Sequence, residues 1–214
     1  MRFLFPAILA LCAVPVADAQ TADQTIDRCR IRPGTQCLSA NLRGATLPGA
    51  DLTRADLTRS SLNGADLTKA RLDRAKLQRV DFERANLTQA TLDRAGLRGA
   101  NLRGATLVRA SASAADLQGA NLSEADLSDA VLSGASLRYA RMASAKLRGA
   151  NLERADLTGA DLRGADLTGA DLRGARFEKT NLEGANVTGA KLEKATFRGA
   201  NLQGCTGCPA PGAR

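Results

Sequence analysis

The sequence predicts an all-β solenoid, a chain wound into stacked coils of short strands, and one internal repeat carries this prediction. From residue 40 the chain repeats a pentapeptide of the form Ala-(Asp/Asn)-Leu-x-x without insertion. The Leu position recurs every five residues from Leu42 to Leu202, which makes 33 repeats, and 27 of them hold Leu. Ala stands two residues earlier in 30 repeats, and Gly two residues later in 16. Such repetition is typical of solenoids, whose units bury their apolar residues against their neighbours.

A period of five fits neither regular secondary structure. On an α-helix, successive Leu residues would advance by about 140° and point in every direction. On a continuous strand, residues five apart would face opposite sides. The chain therefore has to turn a corner once per repeat, and the Gly that often stands two residues after Leu suits a corner that needs positive φ. Disorder is the alternative that the narrow composition suggests, but a disordered chain would not hold Leu in register over this length.

Few residues of the predicted interior depart from the pattern of Leu and Ala, and Ala112 is the most unusual of them. It stands at a Leu position within the uncharged stretch 111–115. A missing Leu side chain costs about 2–5 kcal/mol when it is made by mutation in a core. We expect either unfilled space there or a local pinch or bulge of the coil. The other residues that replace Leu are Phe82, Met142, Phe177, Val187 and Phe197, and those that replace Ala are Ser60, Val80 and Thr180.

Runs such as Ala155-Asp156-Leu157-Thr158-Gly159 resemble the pentapeptide-repeat family, and the resemblance covers residues 40 to 204. It implies a right-handed quadrilateral parallel β-helix with four pentapeptides per coil. About eight coils would then form a shaft of about 39 Å, at roughly 4.8 Å between stacked strands. Several members of the family dimerise at the C-terminal end through helices that this sequence does not predict. A head-to-head homodimer through the open C-terminal edge is therefore kept as an alternative.

The N-terminal segment predicts export. Residues 1–19 have the pattern of a signal peptide, with Arg2, an apolar stretch and an Ala17-Asp18-Ala19 cleavage site. The apolar stretch is too short to span a bilayer, and no other segment predicts a transmembrane span. We expect a periplasmic or secreted protein with a cap at 20–39, the solenoid at 40–204 and a tail at 205–214. Lipid attachment at Cys12 is the alternative, although the bulky Leu11 precedes it.

Four cysteines remain after the signal peptide, in pairs just outside the repeats. An even number of cysteines in an exported chain predicts disulfides. The shaft that the resemblance implies would hold the pairs about 40 Å apart, so we expect Cys29 to bond Cys37 and Cys205 to bond Cys208. The same distance argues against a four-cysteine zinc site. Cys205 and Cys208 have the C-x-x-C spacing of redox motifs, but the sequence around them predicts no thioredoxin-like context, and a clamp on the last coil is preferred.

The composition argues against catalysis. The chain has no His and no Trp, so it lacks the usual proton shuttle and the commonest nitrogen ligand of metals. We predict no catalytic residue, no metal site and no cofactor. Asp is plentiful before Leu, but the regular recurrence indicates a solvated feature of the shaft. The residues of this kind are Asp51, Asp56, Asp66, Asp116, Asp126, Asp156, Asp161, Asp166 and Asp171.

The charge distribution predicts the one candidate binding surface. The chain carries a formal charge of +8, which loss of the signal peptide leaves unchanged because Arg2 and Asp18 cancel. With four repeats per coil, basic residues cluster along two adjoining faces of the first coils. This basic strip comprises Arg54, Arg59, Arg71, Arg74, Lys76, Arg79, Arg94 and Arg98. An ordinary surface of mixed charge is the alternative interpretation.

These features predict an exported, non-enzymatic solenoid that acts as a rigid protein-interaction or structural module. The alternative is a protein whose basic strip binds an acidic protein, an envelope polyanion or anionic lipid headgroups. The best-known activity of the resembled family is protection of DNA gyrase by rods that mimic DNA. That activity needs an acidic surface in the cytoplasm, whereas this chain is basic and predicted to be exported. Direct nucleic-acid binding is disfavoured, because the surface offers few aromatic residues for base stacking.

Overall fold

The computed structural model describes residues 24–210, so the predicted signal peptide with Cys12, and the last four residues of the tail, lie outside it. Two short antiparallel strands come first, β1 (Thr25–Ile26) and β2 (Cys29–Arg30). The rest of the described chain is built from turns and single-residue bridges, and residues 24–210 contain no helix. Nothing in this range therefore has the form of a membrane-spanning helix.

The solenoid is held by 31 parallel bridges, each of which joins a residue to the one twenty positions later. Twenty residues make four pentapeptides, so each coil has four faces, which we name after Leu42, Leu47, Leu52 and Leu57. The bridges run from Gln36 to Thr206 and give about eight and a half coils. They begin upstream of residue 40 because Thr35 and Cys37, both buried, occupy the Ala and Leu positions of one more pentapeptide.

Each pentapeptide of the inner coils uses four backbone N–H groups in the same way. In the repeat of Leu62, the N–H groups of Ser61, Leu62 and Gly64 donate to carbonyl oxygens of neighbouring coils at 2.7–2.9 Å. The N–H of Ala65 donates to the carbonyl oxygen of Leu62 at 3.0 Å and closes the corner as a β-turn. The backbone polar groups of the buried strands are thereby satisfied between coils, as burial requires.

The fifth N–H, on the residue after Leu, explains the preference for Asp or Asn before Leu. For example, the N–H of Thr68 donates to Oδ1 of Asp66 at 3.0 Å, and the Thr68 hydroxyl donates to the same oxygen at 2.6 Å. All eighteen Asp and Asn residues at this position between 41 and 201 accept a hydrogen bond of this kind. The carboxylates that the sequence indicates as solvated therefore also hold the turns.

The corner position, two residues after Leu, has positive φ in all 33 repeats, although only 16 of these residues are Gly. Arg109 is an example, with φ of 56° and its N–H bonded to the Ser128 carbonyl oxygen at 3.0 Å. The left-handed region costs a residue with a side chain about 1–2 kcal/mol. The hydrogen bonds between coils therefore impose the corner, and Gly relieves its strain without being required.

The core is one continuous stack of Leu and Ala side chains along the rod. The stack also holds aromatic residues near its C-terminal end, where the rings of Phe177 and Phe197 are parallel with centroids 4.8 Å apart. Ser60, at an Ala position, is buried, and its hydroxyl donates to the Cys37 carbonyl oxygen at 2.6 Å while it accepts from the Ala40 N–H at 3.0 Å. The hydroxyl thus joins the first turn to the second coil.

The N-terminal end of the stack is covered by the segment that contains β1 and β2. Ile31 is 2% exposed and extends the core, and Oδ2 of Asp27 accepts the N–H of Asn41 at 2.7 Å. The sulfurs of Cys29 and Cys37 are 2.12 Å apart, at bonding distance, which ties this segment to the first coil. The cap therefore covers the apolar end of the core and accepts a hydrogen bond from a backbone N–H group of the first coil.

The C-terminal end is more open. Leu192 and Leu202 are partly exposed there, and Cys205 and Cys208 are paired as expected, with sulfurs 1.98 Å apart. Gly207, with φ of 78°, packs so closely that an added Cβ would meet the Thr188 nitrogen at 2.9 Å. Only a residue without a side chain allows the clamp to close against the last coil.

At Ala112 the backbone is regular, because its N–H donates to the Val131 carbonyl oxygen at 2.7 Å and both neighbouring bridges of Ser111 are present. The expected pinch or bulge is absent at this residue. The missing side chain instead leaves a small cavity of about 10 Å³, lined by Leu and Ala side chains of three successive coils, among them Leu92 and Leu132. Such an apolar space is expected to stay dry.

We expect Ala112→Leu to raise the free energy of unfolding by about 1 kcal/mol. Three added carbons contribute about 0.8 kcal/mol each, and packing strain of about 1–3 kcal/mol offsets part of that gain. Urea unfolding of the two proteins measures the difference. Ala115→Leu is the control. Ala115 does not line the cavity, so the same three carbons should lower the free energy of unfolding there. A loss of stability in Ala112→Leu would show that the surrounding leucines leave no room.

Candidate functional site

One recessed groove of about 930 Å³ runs along the Leu52 face of the first coils. Its floor is the column of residues directly after Leu, which includes Thr53, Asp73, Asp93 and Ser113. The floor residues are half-buried because they lie between two rows of larger side chains. The groove is therefore a consequence of the coil register, which stacks every twentieth residue.

One wall of the groove is a column of arginines. Arg54, Arg74 and Arg94 occupy the same corner of three successive coils, with φ of 58°, 57° and 58°, and their side chains are exposed. None of the three forms an ion pair with any residue in the range 24–210. Gly34 and Ala114 end this column without charge. The groove thus presents three unneutralised guanidinium groups in line.

The carboxylates of the floor point their oxygens towards backbone donors. Oδ1 of Asp73 accepts the N–H of Asp93 at 3.0 Å, and its Oδ2 accepts the Thr91 hydroxyl at 2.7 Å. Oδ1 of Asp93 accepts the N–H of Ser113 at 2.9 Å. These carboxylates take the place of the Asp or Asn that the next coil lacks before its Leu position, where Thr91 and Ser111 stand. Their structural role explains why acidic residues stand beside the arginines without pairing with them.

The structure divides the predicted basic strip into two parts. Arg54, Arg71, Arg74 and Arg94 line the groove, and the other four lie on the Leu57 face or its far corner. Three strip residues are neutralised by close carboxylates: Arg71 by Asp51 at 3.1 Å, Lys76 by Asp56 at 3.4 Å and Arg98 by Asp116 at 3.5 Å. The five that form no ion pair within residues 24–210 are Arg54, Arg59, Arg74, Arg79 and Arg94.

Carboxylates outside the groove form hydrogen bonds within the shaft. Asp161 accepts two hydrogen bonds from the Arg163 guanidinium at 2.7 and 2.8 Å, and Asp166 accepts from the hydroxyl and N–H of Thr168. Within the described range, no three His, Cys, Asp or Glu side chains come together as a metal site. Among the described residues, the groups left available for contact with another molecule are therefore the arginines without ion pairs.

Six aspartates have lowered pKa values because of the turn hydrogen bonds: Asp51, Asp56, Asp156, Asp161, Asp166 and Asp171. At Asp166 the Thr168 hydroxyl lowers the pKa, burial opposes it, and the Thr168 N–H and Arg148 add to the lowering. At Asp56 burial raises the pKa, but the Thr58 and Lys76 contacts outweigh it. Ionised carboxylates therefore stabilise the folded coil.

The stability of the protein should consequently fall in acid. Because these pKa values are lower in the folded than in the unfolded chain, their contribution is complete above about pH 4, the ordinary Asp value. It is lost as the pH falls through the lowered values. We expect urea unfolding to give equal free energies at pH 7 and 5 and smaller ones at pH 3 and 2. Asp166→Asn keeps the acceptor for Thr168 and should reduce the acid loss; equal stability of the unmodified protein at pH 7 and 2 would contradict the assignment.

Comparison with known proteins identifies the class. The family model described as pentapeptide repeats matches the segments 35–74, 70–109, 113–149, 135–174 and 170–206, so this chain belongs to the pentapeptide-repeat family. It accordingly has the right-handed quadrilateral β-helix of that family, as the sequence predicts. The matched segments omit only 110–112 between their limits, the stretch that contains Ala112. A search among curated proteins finds no match.

Two solved structures illustrate the likeness. HetL from the cyanobacterium Nostoc sp. strain PCC 7120, a pentapeptide-repeat protein involved in the regulation of heterocyst differentiation, is 34% identical with a TM-score of 0.64. The match covers 82% of this chain and 88% of HetL. A trypsin-treated form of QnrB1, a plasmid-mediated fluoroquinolone resistance protein, is 23% identical with a TM-score of 0.52, over 85% of this chain and 86% of its own. At that identity, QnrB1 shows the common fold alone.

Proposed function

We propose that this protein is an exported, non-enzymatic binding module, a rigid rod whose arginine groove on the Leu52 face docks an anionic partner. The observation that carries the proposal is the column of Arg54, Arg74 and Arg94, three exposed cations in register that form no ion pair within residues 24–210. The predicted signal peptide supports export, and the family membership supports a role in interaction rather than catalysis.

Rigidity is part of the proposed mechanism. Bridges at every repeat from Gln36 to Thr206 fix the distances between successive corners. A partner that matches this spacing meets arginines whose backbone positions are already fixed, and such preorganisation strengthens binding. The alternative is a structural solenoid that only holds other components apart. In that case no partner would prefer the groove to the other faces.

Photo-cross-linking in cells of the native host tests the docking surface. The cross-linking residue replaces Ala114, exposed at the end of the groove, and in a second strain Thr188, exposed on the Leu47 face. A discrete adduct from position 114 that position 188 does not give would support the groove as the docking surface. Identical products from both positions, or none from position 114, would contradict it.

A further inference from the structure

The two disulfides differ in how far solvent reaches them. The N-terminal disulfide joins Cys29 and Cys37, which are 1% and 5% exposed. The C-terminal disulfide joins Cys205 and Cys208, which are only half-buried at the open end of the rod. Reduction by thiol–disulfide exchange begins when a thiolate attacks one sulfur of the bond, so its rate depends on access. In the folded protein, the C-terminal disulfide is therefore the one that a reductant reaches more readily.

The two disulfides also differ in what else holds the chain beside them. Near the N-terminal disulfide, the Cys37 N–H donates to the Asp56 carbonyl oxygen at 2.8 Å, and Ile31 is buried in the core. By contrast, the end segment, residues 207–210, shares no backbone hydrogen bond with any other described residue. Within the range 24–210, the C-terminal disulfide is thus the one cross-link or hydrogen bond that returns the end segment to the last coil.

The end segment closes one face of the last coil. The repeat register places Gly207 where the next Leu would stand, and the C-terminal disulfide packs against the end of the apolar stack. Twenty residues earlier, Val187 is 1% exposed, and its N–H donates to the Thr206 carbonyl oxygen at 2.8 Å. Leu192, on the next face, is partly exposed. The cover over Val187 therefore depends on a bond that solvent can reach.

We propose that the C-terminal disulfide is a reducible site that opens the end of the rod while the N-terminal disulfide stays intact. Its co-reactant is a dithiol, which attacks one cysteine sulfur as a thiolate and displaces the other cysteine as a thiolate. The second thiol of the reductant then attacks the mixed disulfide, and the reductant leaves as a disulfide. The protein gains two electrons and two protons as the thiols of Cys205 and Cys208. This site does not depend on the arginine groove or on the proposed function.

Timed reduction of the folded protein tests the difference in access. The oxidised protein from residue 20 onward is treated with dithiothreitol at neutral pH, quenched in acid and alkylated, and peptide mass spectrometry follows each cysteine pair. We expect Cys205 and Cys208 to be reduced about tenfold or more faster than Cys29 and Cys37. A smaller ratio, or faster reduction of the N-terminal disulfide, would overturn the proposal.

Hydrogen exchange measures the opening that reduction causes. After reduction, the Val187 N–H should exchange about tenfold or more faster, because the terminal bridge to Thr206 then frays. The Leu107 N–H, which bonds the Asp126 carbonyl oxygen in the middle of the rod, should change by less than about twofold. Unchanged exchange at Val187 in the reduced protein would show that packing alone closes the end, and the proposal would be wrong.

A double variant assigns the opening to the C-terminal disulfide. Cys205→Ser together with Cys208→Ser should show the fast exchange at Val187 without any reductant, and dithiothreitol should then have no further effect. Slow exchange at Leu107 shows that the variant has folded. If dithiothreitol still accelerates exchange at Val187 in this variant, the opening comes from the N-terminal disulfide, and the assignment is wrong.

Discussion

We expect Arg109→Pro to destabilise the protein by about 3 kcal/mol or more. The proline ring fixes φ near −65°, whereas Arg109 has φ of 56°. The substitution also removes the N–H that donates to the carbonyl oxygen of Ser128 at 3.0 Å. Both losses fall in the middle of the rod, where two coils depend on the same corner. Urea unfolding with the change in midpoint and slope measures the effect.

The neighbouring substitution Val108→Pro is the control, and it should change the stability by less than about 1 kcal/mol. Val108 stands directly after Leu and is not among the residues with positive φ, and its N–H makes no backbone hydrogen bond in the described chain. The native sequence already has Pro48 at this position of its repeat. If the two adjacent proline variants lose equal stability, the assignment of the corner is wrong.

The fold could be predicted from the sequence because side-chain size repeats with the coil. Leu and Ala positions each face the interior once per pentapeptide, so the apolar register alone indicates a corner per repeat. The turn-stabilising role of Asp66 could not be predicted in the same way, because its hydrogen bond from the Thr68 N–H exists only after the turn has formed. The first pentapeptide could not be recognised either, since it has Thr35 and Cys37 where the repeat has Ala and Leu.

The candidate site was partly predictable for a related reason. Once a coil has twenty residues, the stacking of Arg54, Arg74 and Arg94 follows from their numbers. The residue numbers do not show which of these cations lack an ion pair, because Asp73 could have neutralised Arg74. It instead accepts hydrogen bonds from the Asp93 N–H and the Thr91 hydroxyl. The choice between backbone and arginine partners depends on local geometry that the periodicity does not contain.

The second large effect is expected in the aromatic part of the core. Phe177→Ala should lower the free energy of unfolding by about 3–5 kcal/mol, because it removes a fully buried ring and leaves a cavity. Phe177 is 0% exposed and stacks on Phe197 with centroids 4.8 Å apart, which is the spacing of the coils. The alanine variant therefore also loses the ring contact with the next coil.

Phe177→Leu is the matched substitution, because it restores the residue that 27 of the 33 repeats hold at this position. A hydrophobic exchange of this kind should cost less than about 1.5 kcal/mol. Urea unfolding of both variants at pH 7 gives the comparison, and hydrogen exchange of the Leu157 N–H, which bonds the Arg176 carbonyl oxygen at 2.8 Å, reports on the same coil. If Phe177→Ala costs no more than Phe177→Leu, the last coils open independently of the rod, and the stability of the solenoid resides in its N-terminal coils.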